Sequence, residues 1–199
     1  DPLKNYGLDL TAPGSYLQTT GFNGFYNESY AGYMLEFWFN LDDASGNTGS
    51  LVRMQSNDGA ESIFNLRLEN GQLKLDYNMS TETRTCEFDS DVVFAAGDGW
   101  THVAVKFYAG YQNFNSSNHI IGFFVNHKGQ EYHQVKQYDG QPLRDFNAGQ
   151  MILGGTDGGN ELLMLMDEFR AWNTTEHFYL SESSTRTSYD ELLQSIQEK

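Results

Sequence analysis

The stretch 33-YMLEFWFNL-41 alternates between two kinds of side chain along its whole length. One set is apolar and consists of Tyr33, Leu35, Phe37, Phe39 and Leu41. The other set is mixed and consists of Met34, Glu36, Trp38 and Asn40. Successive side chains of a β-strand point to opposite faces of its sheet. The alternation therefore predicts a strand with one apolar face and one face that carries polar and aromatic groups.

The same alternation recurs elsewhere in the chain. Further strands are predicted at 101–108, 121–127 and 63–77, and the last of these is interrupted by Asn70 and Gly71. An Asn-Gly pair favours a hairpin, because a type I′ turn requires positive φ at both central positions. Weaker strand patterns lie at 15–18, 51–54, 92–95, 132–136 and 151–153. With polar, glycine-rich loops between them, these strands predict an all-β, antiparallel two-sheet sandwich.

A helix is predicted only at the C-terminal end. In 188-SYDELLQSIQEK-199, Ser188 and Glu191 form a capping box, and a short apolar stripe follows at helical spacing. The segment that starts at residue 181 and leads into this helix has the composition of a Ser/Thr-rich linker. We therefore divide the chain into a sandwich domain at 1–180 and a linker with a short helix at 181–199.

The composition excludes two kinds of partner. A net charge of −15, with only 12 scattered Lys and Arg residues, would repel a phosphate backbone, so nucleic acid is excluded. Apolar runs stay well short of the ~18 residues of a membrane span, so no membrane insertion is expected. Since the chain opens at Asp1 without a signal peptide, we expect a mature or excised piece.

Four N-x-[ST] sequons favour a secreted or cell-surface glycoprotein. Their acceptor residues are Asn27, Asn78, Asn115 and Asn173. Cys86 is the only cysteine, so no disulfide can form within the chain, which taken alone would favour an intracellular protein. We give the sequons more weight, expect an extracellular location, and interpret Cys86 as a buried small apolar residue.

Three pieces of the chain follow one another in a recognisable order. They are 7-GLDLTAPGSYLQT-19 with 33-YMLEFWFNLDD-43, 99-GWTHVAVKF-107 with 123-FFVNHKG-129, and 151-MILGG-155 with 166-MDEFRAWN-173. Together they resemble the laminin-G-like domains of the concanavalin A-like lectin/glucanase superfamily. The resemblance covers roughly residues 7–175 and implies a jelly roll of two sheets. It also implies roles in adhesion and in recognition of a glycan or protein, as one module of a larger protein. The insertion at 109–119 departs from the family pattern, so no ligand geometry at that corner is carried over from the family.

We expect no catalysis, although some relatives on this fold are glycoside hydrolases or lyases. Glucanases on this fold carry their carboxylates in an E-x-D-x-[x]-E pattern, and the nearest match, 87-EFDSD-91, lacks the second Glu. The five histidines have no zinc-binding spacing, and no nucleophile elbow is present. If this protein were a hydrolase or lyase, we would expect Glu36 and Glu168 to be its pair of catalytic carboxylates.

The adjacent acids of 166-MDEFRAWN-173 are expected to play different parts. As consecutive strand residues, Asp167 and Glu168 would point to opposite faces, with Asp167 on the apolar face beside Phe169. A carboxylate there requires a partner, either backbone N–H groups of a neighbouring turn or a structural Ca²⁺ ion. Loop carbonyls with Asp157 or Asn160 would supply further calcium ligands. Asp42, Asp43 and Asp58 are either alternative cation ligands or solvated turn residues. A calcium ion at the rim of the sandwich is also what the resemblance implies.

The other face of the same stretch predicts either a structural or a ligand-binding surface. If the strand of Glu36 is its neighbour, Glu36, Glu168, Arg170 and Lys106 would form a lattice of ion pairs that holds the sheet in register. Alternatively, tryptophan and tyrosine rings on this face would stack on sugar rings, with charged groups forming hydrogen bonds. The predicted ligand-binding residues are Glu36, Trp38, Tyr108, Arg170 and Trp172.

The function expected from the sequence is that of a non-catalytic extracellular recognition or adhesion module that binds a glycan or an extracellular protein. The alternative is an architectural unit of a surface or matrix assembly, which packs against neighbouring domains or copies of itself and has no free ligand. Exposed aromatic rings in a groove would favour the first interpretation. An apolar patch buried against another chain would favour the second.

Overall fold

The computed structural model describes residues 7–19, 32–56, 59, 62–78, 83–88, 91–109, 118–139, 149–156 and 158–174. The regular secondary structure in these ranges is β-strand throughout. Its elements are β1 (Leu8–Leu10), β2 (Tyr16–Gln18), β3 (Gly32–Leu41), β4 (Gly49–Ser56), β5 (Ser62–Glu69), β6 (Gln72–Asn78), β7 (Thr83–Glu87), β8 (Thr101–Ala109), β9 (Asn118–His127), β10 (Gln130–Asp139), β11 (Gly149–Gly154) and β12 (Met164–Thr174).

The strands form two antiparallel sheets of six strands each. The front sheet has the order β1-β12-β3-β8-β9-β10, and the back sheet has the order β2-β11-β4-β5-β6-β7. Several neighbours in each sheet are far apart in sequence, such as β12 beside β3 and β11 beside β4. The predicted all-β, antiparallel two-sheet jelly-roll sandwich is confirmed.

The core lies between the two sheets and is built by the apolar face of each strand. Leu35, Phe37 and Phe39 of β3 are at most 1% exposed, as the alternation of that stretch predicts. Cys86 on β7 is also fully buried, which confirms its interpretation as a small apolar residue. Within the described ranges there is no helix of the length and apolar character that a membrane crossing requires.

The hairpin between β5 and β6 confirms the turn that the sequence predicts. Asn70 and Gly71 have φ values of 52° and 76°, the two positive angles of a type I′ turn. The strand predicted at 92–95 is wrong, because this segment runs as a loop in which Phe94 donates its N–H to the Gly71 carbonyl. The predicted linker and helix at 181–199 lie outside the described residues.

A β-bulge interrupts the pairing of β12 with β3. Asp167 pairs with Trp38, and Arg170 pairs with Glu36, so the two residues between Asp167 and Arg170 both lie opposite Phe37. Directly opposed residues of an antiparallel pair share a face of the sheet. Asp167 and Arg170 therefore both lie on the outer side, with Trp38 and Glu36.

The bulge overturns the face predicted for Asp167. Glu168 is the extra residue and takes a positive φ of 50°. Phe169 then returns to the inner side, where its ring centroid lies 6.1 Å from that of Phe37. Simple alternation placed Asp167 beside Phe169 on the apolar face, and this was wrong because one added residue reverses the parity of the strand.

Candidate functional site

The candidate site is the surface of the front sheet that points away from the core, which we call the front face. The strand ladder arranges this surface in rows, because opposed residues share a face. Three of the predicted ligand-binding residues meet here, namely Glu36, Trp38 and Arg170. One row consists of Asp167, Trp38, His102, Asn126 and Glu131, and the next consists of Arg170, Glu36, Ala104, Phe124 and His133.

An ion-paired cluster lies at the centre of the front face. Arg170 Nη1 donates to Glu36 Oε1 at 3.1 Å, and Arg170 Nη2 donates to Glu168 Oε2 at 3.2 Å. Glu36 is 1% exposed, whereas the side chain of Glu168 is 49% exposed. The predicted lattice is therefore confirmed for these three residues. The arginine fixes one buried and one solvent-facing carboxylate.

An aromatic side chain lies beside this cluster. The rings of Trp38 and His102 have centroids 5.1 Å apart and are tilted by 47°. His102 Nε2 also lies 3.8 Å from Glu36 Oε2. Burial lowers the pKa of His102 below its usual 6.5, and the carboxylates of Glu36 and Glu168 offset this only in part. A neutral imidazole, with one donor and one acceptor, thus lies next to a half-buried indole.

His102, which lies beside the ion-paired cluster, is a residue that the sequence analysis did not indicate for this site.

Lys106, which was predicted to join the lattice of ion pairs, lies opposite Met34, one row beyond Glu36. Burial lowers the pKa of Lys106 to about 8. Its amine is therefore partly neutral in mildly alkaline solution.

For two of the predicted ligand-binding residues, the structure describes only the position of the backbone. Tyr108 lies opposite Gly32 on β8, and Trp172 lies opposite Met34 on β12. Both backbone positions continue the rows of the front face. Their side chains lie outside the described part of the structure, so their roles in binding stay predictions.

The loop that precedes β8 is held by Asp98. Its Oδ2 accepts a hydrogen bond from the Ala95 N–H at 3.0 Å and lies 3.2 Å from His127 Nε2, and its Oδ1 lies 2.7 Å from Lys128 Nζ. His127 Nδ1 shares a 2.7 Å hydrogen bond with the Thr101 hydroxyl. Burial acts to raise the pKa of Asp98, but Lys128 and the Ala95 N–H outweigh it, so this pKa lies below its usual value.

Trp100 lies at the end of this loop and is a candidate that the sequence analysis missed. Its side chain is 42% exposed. Trp100 directly precedes Thr101, which pairs with Phe39 at the start of β8, and it lies two positions before His102. Its spacing of two residues from His102 is the sequence feature that could have identified it.

A cavity of about 300 Å³ lies at the same end of the front face, and we call it the end cavity. The ends of β1 and β3, the start of β12 and the loop before β8 form its walls. Its lining is mostly polar and includes Thr11, Asn40, Asp42, Asp43, Gly99 and Leu165. The end cavity and the ion-paired cluster therefore lie on the same face of the sheet, separated by the row of Asp167, Trp38 and His102.

The predicted calcium ligands are only partly described. Asp167 Oδ1 accepts a hydrogen bond at 2.8 Å from the N–H of the next residue, Glu168, and not from a neighbouring turn as predicted. Asp157 lies outside the described residues. Among the residues that are described, no three His, Cys, Asp or Glu side chains lie together as a metal site. One described carboxylate does not make a ligand set for calcium, so calcium at Asp157 and Asp167 stays a prediction.

The predicted glycosylation sites fall into two groups. Asn78 and Asn173 lie on β6 and β12, paired with Thr83 and Tyr33, and their side chains are outside the described part. Asn27 and Asn115 lie outside the described residues. Glycosylation at all four positions stays a prediction.

Comparison with known proteins gives one family and several structural neighbours. A profile of the concanavalin A-like lectin/glucanases superfamily matches residues 11–176. Comparison with curated protein sequences found no match. The matched range contains every strand of the front sheet except β1, and all the residues that line the end cavity.

Solved structures share the fold at low sequence identity. Domains LG4-5 of the mouse laminin α1 chain align with a TM-score of 0.52 and 10% identity, over 83% of this chain and 41% of that one. The binding domain of Botulinum neurotoxin serotype D gives 0.56 and 13%, over 95% and 43%. The PL-14 alginate lyase from Aplysia kurodai gives 0.49 and 12%, over 74% and 72%. The chain thus spans about two fifths of the laminin and toxin chains.

Proposed function

The chain belongs to the concanavalin A-like lectin/glucanases superfamily, and we propose that it is a non-catalytic recognition module that binds a glycan on its front face. One observation carries the proposal. The indole of Trp38 lies beside a neutral imidazole and next to the Glu36–Arg170 ion pair. This places an aromatic surface and directional hydrogen-bonding groups within one small area.

This combination of groups suits a sugar ring. The C–H face of a pyranose packs on an aromatic ring, while its hydroxyl groups donate and accept hydrogen bonds. Binding sites in proteins commonly join aromatic side chains with a few placed polar groups. The half-exposed carboxylate of Glu168 faces solvent and is held by Arg170. Its position is therefore set before a ligand arrives, which lowers the entropic cost of binding.

We propose binding without catalysis because the acids at this site are already engaged. Glu36 and Glu168 share the guanidinium of Arg170, whereas paired carboxylates of a glycosidase flank the scissile bond of the substrate. Asp98, His127 and Thr101 are linked like a nucleophile triad, but Thr101 is 1% exposed, so its hydroxyl is not presented to a substrate.

Incubation with a panel of polysaccharides tests the absence of catalysis. Product would be measured both as new reducing ends and as the ultraviolet absorbance of the unsaturated sugars that a lyase forms. We expect neither signal. Product that disappears in the Glu36→Gln variant would contradict the proposal and assign catalysis to this carboxylate.

We also propose that the protein acts outside the cell or at its surface, with N-glycans at the four sequons and a structural calcium ion at the rim. Expression in a secretory host, followed by enzymatic removal of N-glycans, should lower the mass by several glycan units. Thermal unfolding with calcium and with a chelator tests the ion directly. An unchanged melting temperature would remove calcium from the proposal.

Binding of the secreted protein to a broad glycan array is the experiment that tests the proposed function. The array would be run with calcium and again with chelator, and then with the variants Trp38→Ala and Tyr16→Ala. Tyr16 is 57% exposed on β2 of the back sheet, so it is a matched aromatic control. We expect specific binding that is lost in Trp38→Ala and kept in Tyr16→Ala. Silence toward every glycan would contradict the proposal.

A second candidate function is that of an architectural unit that assembles with copies of itself. It is favoured by β2, an edge strand of the back sheet on which Tyr16 and Leu17 are 57% and 45% exposed. Exposed apolar side chains on a sheet edge are a template for association. Analytical ultracentrifugation over a range of concentrations tests this candidate. Self-association that is abolished by Leu17→Ser would support it.

A further inference from the structure

We propose that His102 makes ligand binding on the front face depend on pH, so that the face holds an uncharged glycan at neutral pH and releases it in acid. This inference rests on the proposed function and deepens it, because it adds a means of regulation to the same site. The imidazole lies beside the indole ring of Trp38 and near the buried carboxylate of Glu36.

The position of His102 brings its imidazole into any contact that is centred on Trp38. The two residues are directly opposed on β3 and β8, and their ring centroids are 5.1 Å apart. The side chain of His102 is 13% exposed, so part of it still faces water. A sugar ring that packs on the indole covers this remaining surface and removes water from the imidazole. Loss of water disfavours the charged form of a histidine.

Charged groups on the neighbouring strands already act on His102. Burial lowers the pKa of His102 below its usual 6.5, and Arg170 on β12 acts in the same direction. The carboxylates of Glu36 on β3 and Glu168 on β12 oppose this shift, but only in part. The row of His102 also contains Asp167, Asn126 and Glu131, and Lys106 is the next cation along β8. In the ligand-free protein the imidazole is therefore neutral at pH 7 and becomes charged in mild acid.

Protonation changes what the imidazole offers to a ligand. A neutral imidazole has one nitrogen that donates a hydrogen bond and one that accepts, whereas both nitrogens of the charged form donate. The positive charge also attracts Nε2 toward Glu36 Oε2, which lies 3.8 Å away. Acid thus favours a contact within the protein and removes the acceptor that a sugar hydroxyl group would use.

Linkage between proton and ligand fixes the direction of the effect. A ligand that covers the imidazole binds its neutral form, so the pKa of His102 is lower in the complex than in the free protein. Between these two pKa values, each bound ligand displaces one proton. The affinity should therefore fall about tenfold for each pH unit in this range, and it should be constant above about pH 6.5.

Calorimetric titration from about pH 7.5 to about pH 4.5 tests the inference across the range where histidine titrates. The probes are neutral hexasaccharides of glucose, mannose and xylose. The variant His102→Gln removes the titrating group. The matched control is His133→Gln, because His133 also has a pKa lowered by burial but stacks on Phe124, on β9 and β10. Circular dichroism establishes that each protein is folded at each pH.

A second measurement needs no variant. The imidazole proton resonances of His102 in the wild-type protein would be followed by NMR as the pH is lowered, with and without the probe. This gives the pKa of His102 in both states directly. We expect the probe to lower it. The NMR result decides the question if His102→Gln binds too weakly for calorimetry.

We expect the wild type and His133→Gln to lose affinity in acid by about tenfold per pH unit, and His102→Gln to lose this dependence. Affinity that is constant with pH, or a pKa of His102 that the probe leaves unchanged, would overturn the inference and leave the proposed function standing. Affinity that rises in acid, or a dependence that persists in His102→Gln, would overturn it in the same way. Binding of no probe at any pH would overturn both the inference and the proposed function.

Discussion

At the scale of single residues, the most consequential contact is the one between Glu36 and Arg170. A carboxylate that is 1% exposed must be compensated, because a buried charge without a partner is strongly destabilising. Arg170 provides that compensation at 3.1 Å and is itself a third exposed. Arg170 therefore compensates the buried charge of Glu36 while part of its own side chain stays exposed to solvent.

Replacement of Glu36 by Gln should lower the free energy of unfolding by about 1–3 kcal/mol, since it leaves Arg170 short of one charged acceptor. Glu168→Gln is the matched control, because Glu168 binds the same guanidinium from a side chain that is 49% exposed. Its effect should stay below about 1 kcal/mol, as for other surface ion pairs. Urea denaturation measures both. Equal losses in the two variants would mean that burial does not set the strength of these two ion pairs.

At the scale of elements, the bulge in β12 decides which side chains reach the front face. Glu168 and Phe169 share one position opposite Phe37, and Glu168 adopts the left-handed conformation that side chains rarely take. Because of this extra residue, Asp167 and Arg170 lie on the same face although they are three positions apart. The candidate site therefore depends on a local irregularity of the strand.

Single-residue deletions in β12 test this role of the bulge. Deletion of Glu168 should leave a regular strand, with Phe169 still opposite Phe37, and should change the free energy of unfolding by less than about 1 kcal/mol. Deletion of Phe169 should instead place a glutamate against the core and lower stability by at least about 2 kcal/mol. Denaturant unfolding compares the two. Equal stability of both deletions would mean that the bulge does not set the register.

The sequence predicts those parts of the front face that follow from alternation alone. Glu36 and Trp38 share a face because β3 is regular. The Asn70-Gly71 turn was predictable because these two residue types accept the positive φ angles that the turn requires. The face of Asp167 was not predictable, since nothing in the composition marks where a strand takes an extra residue. The contact of Asp98 with His127 joins residues far apart in sequence, so only the folded chain reveals it.

At the scale of the whole molecule, burial of histidines makes stability depend on pH. Burial lowers the pKa values of His102, His127 and His133 below the usual 6.5. The unfolded chain therefore takes up protons near 6.5 that the folded chain takes up only at lower pH. By linkage, this contribution is fully present above 6.5 and is lost as the pH falls toward the folded values.

Urea unfolding at about pH 7.5 and about pH 5.5 should show lower stability at the acidic value, in the range where histidine titrates. The His102→Gln variant should have a shallower dependence, because it removes one of the three groups. Carboxylates such as Asp98, whose pKa is lowered from 3.8, titrate only at more acidic pH, so they do not contribute to the difference in stability between these two pH values. Stability that rises on acidification would contradict the burial of these imidazoles.

Mapping of the bound sugar tests most directly whether a glycan binds to the front face. An isotope-labelled protein would be titrated with the tightest-binding oligosaccharide, and shifts of the backbone amide resonances would be followed by NMR. We expect saturable shifts that concentrate on β3, β8 and the bulge of β12, around Trp38, His102 and Arg170. Saturable shifts confined to β2 and the back sheet would contradict the claim.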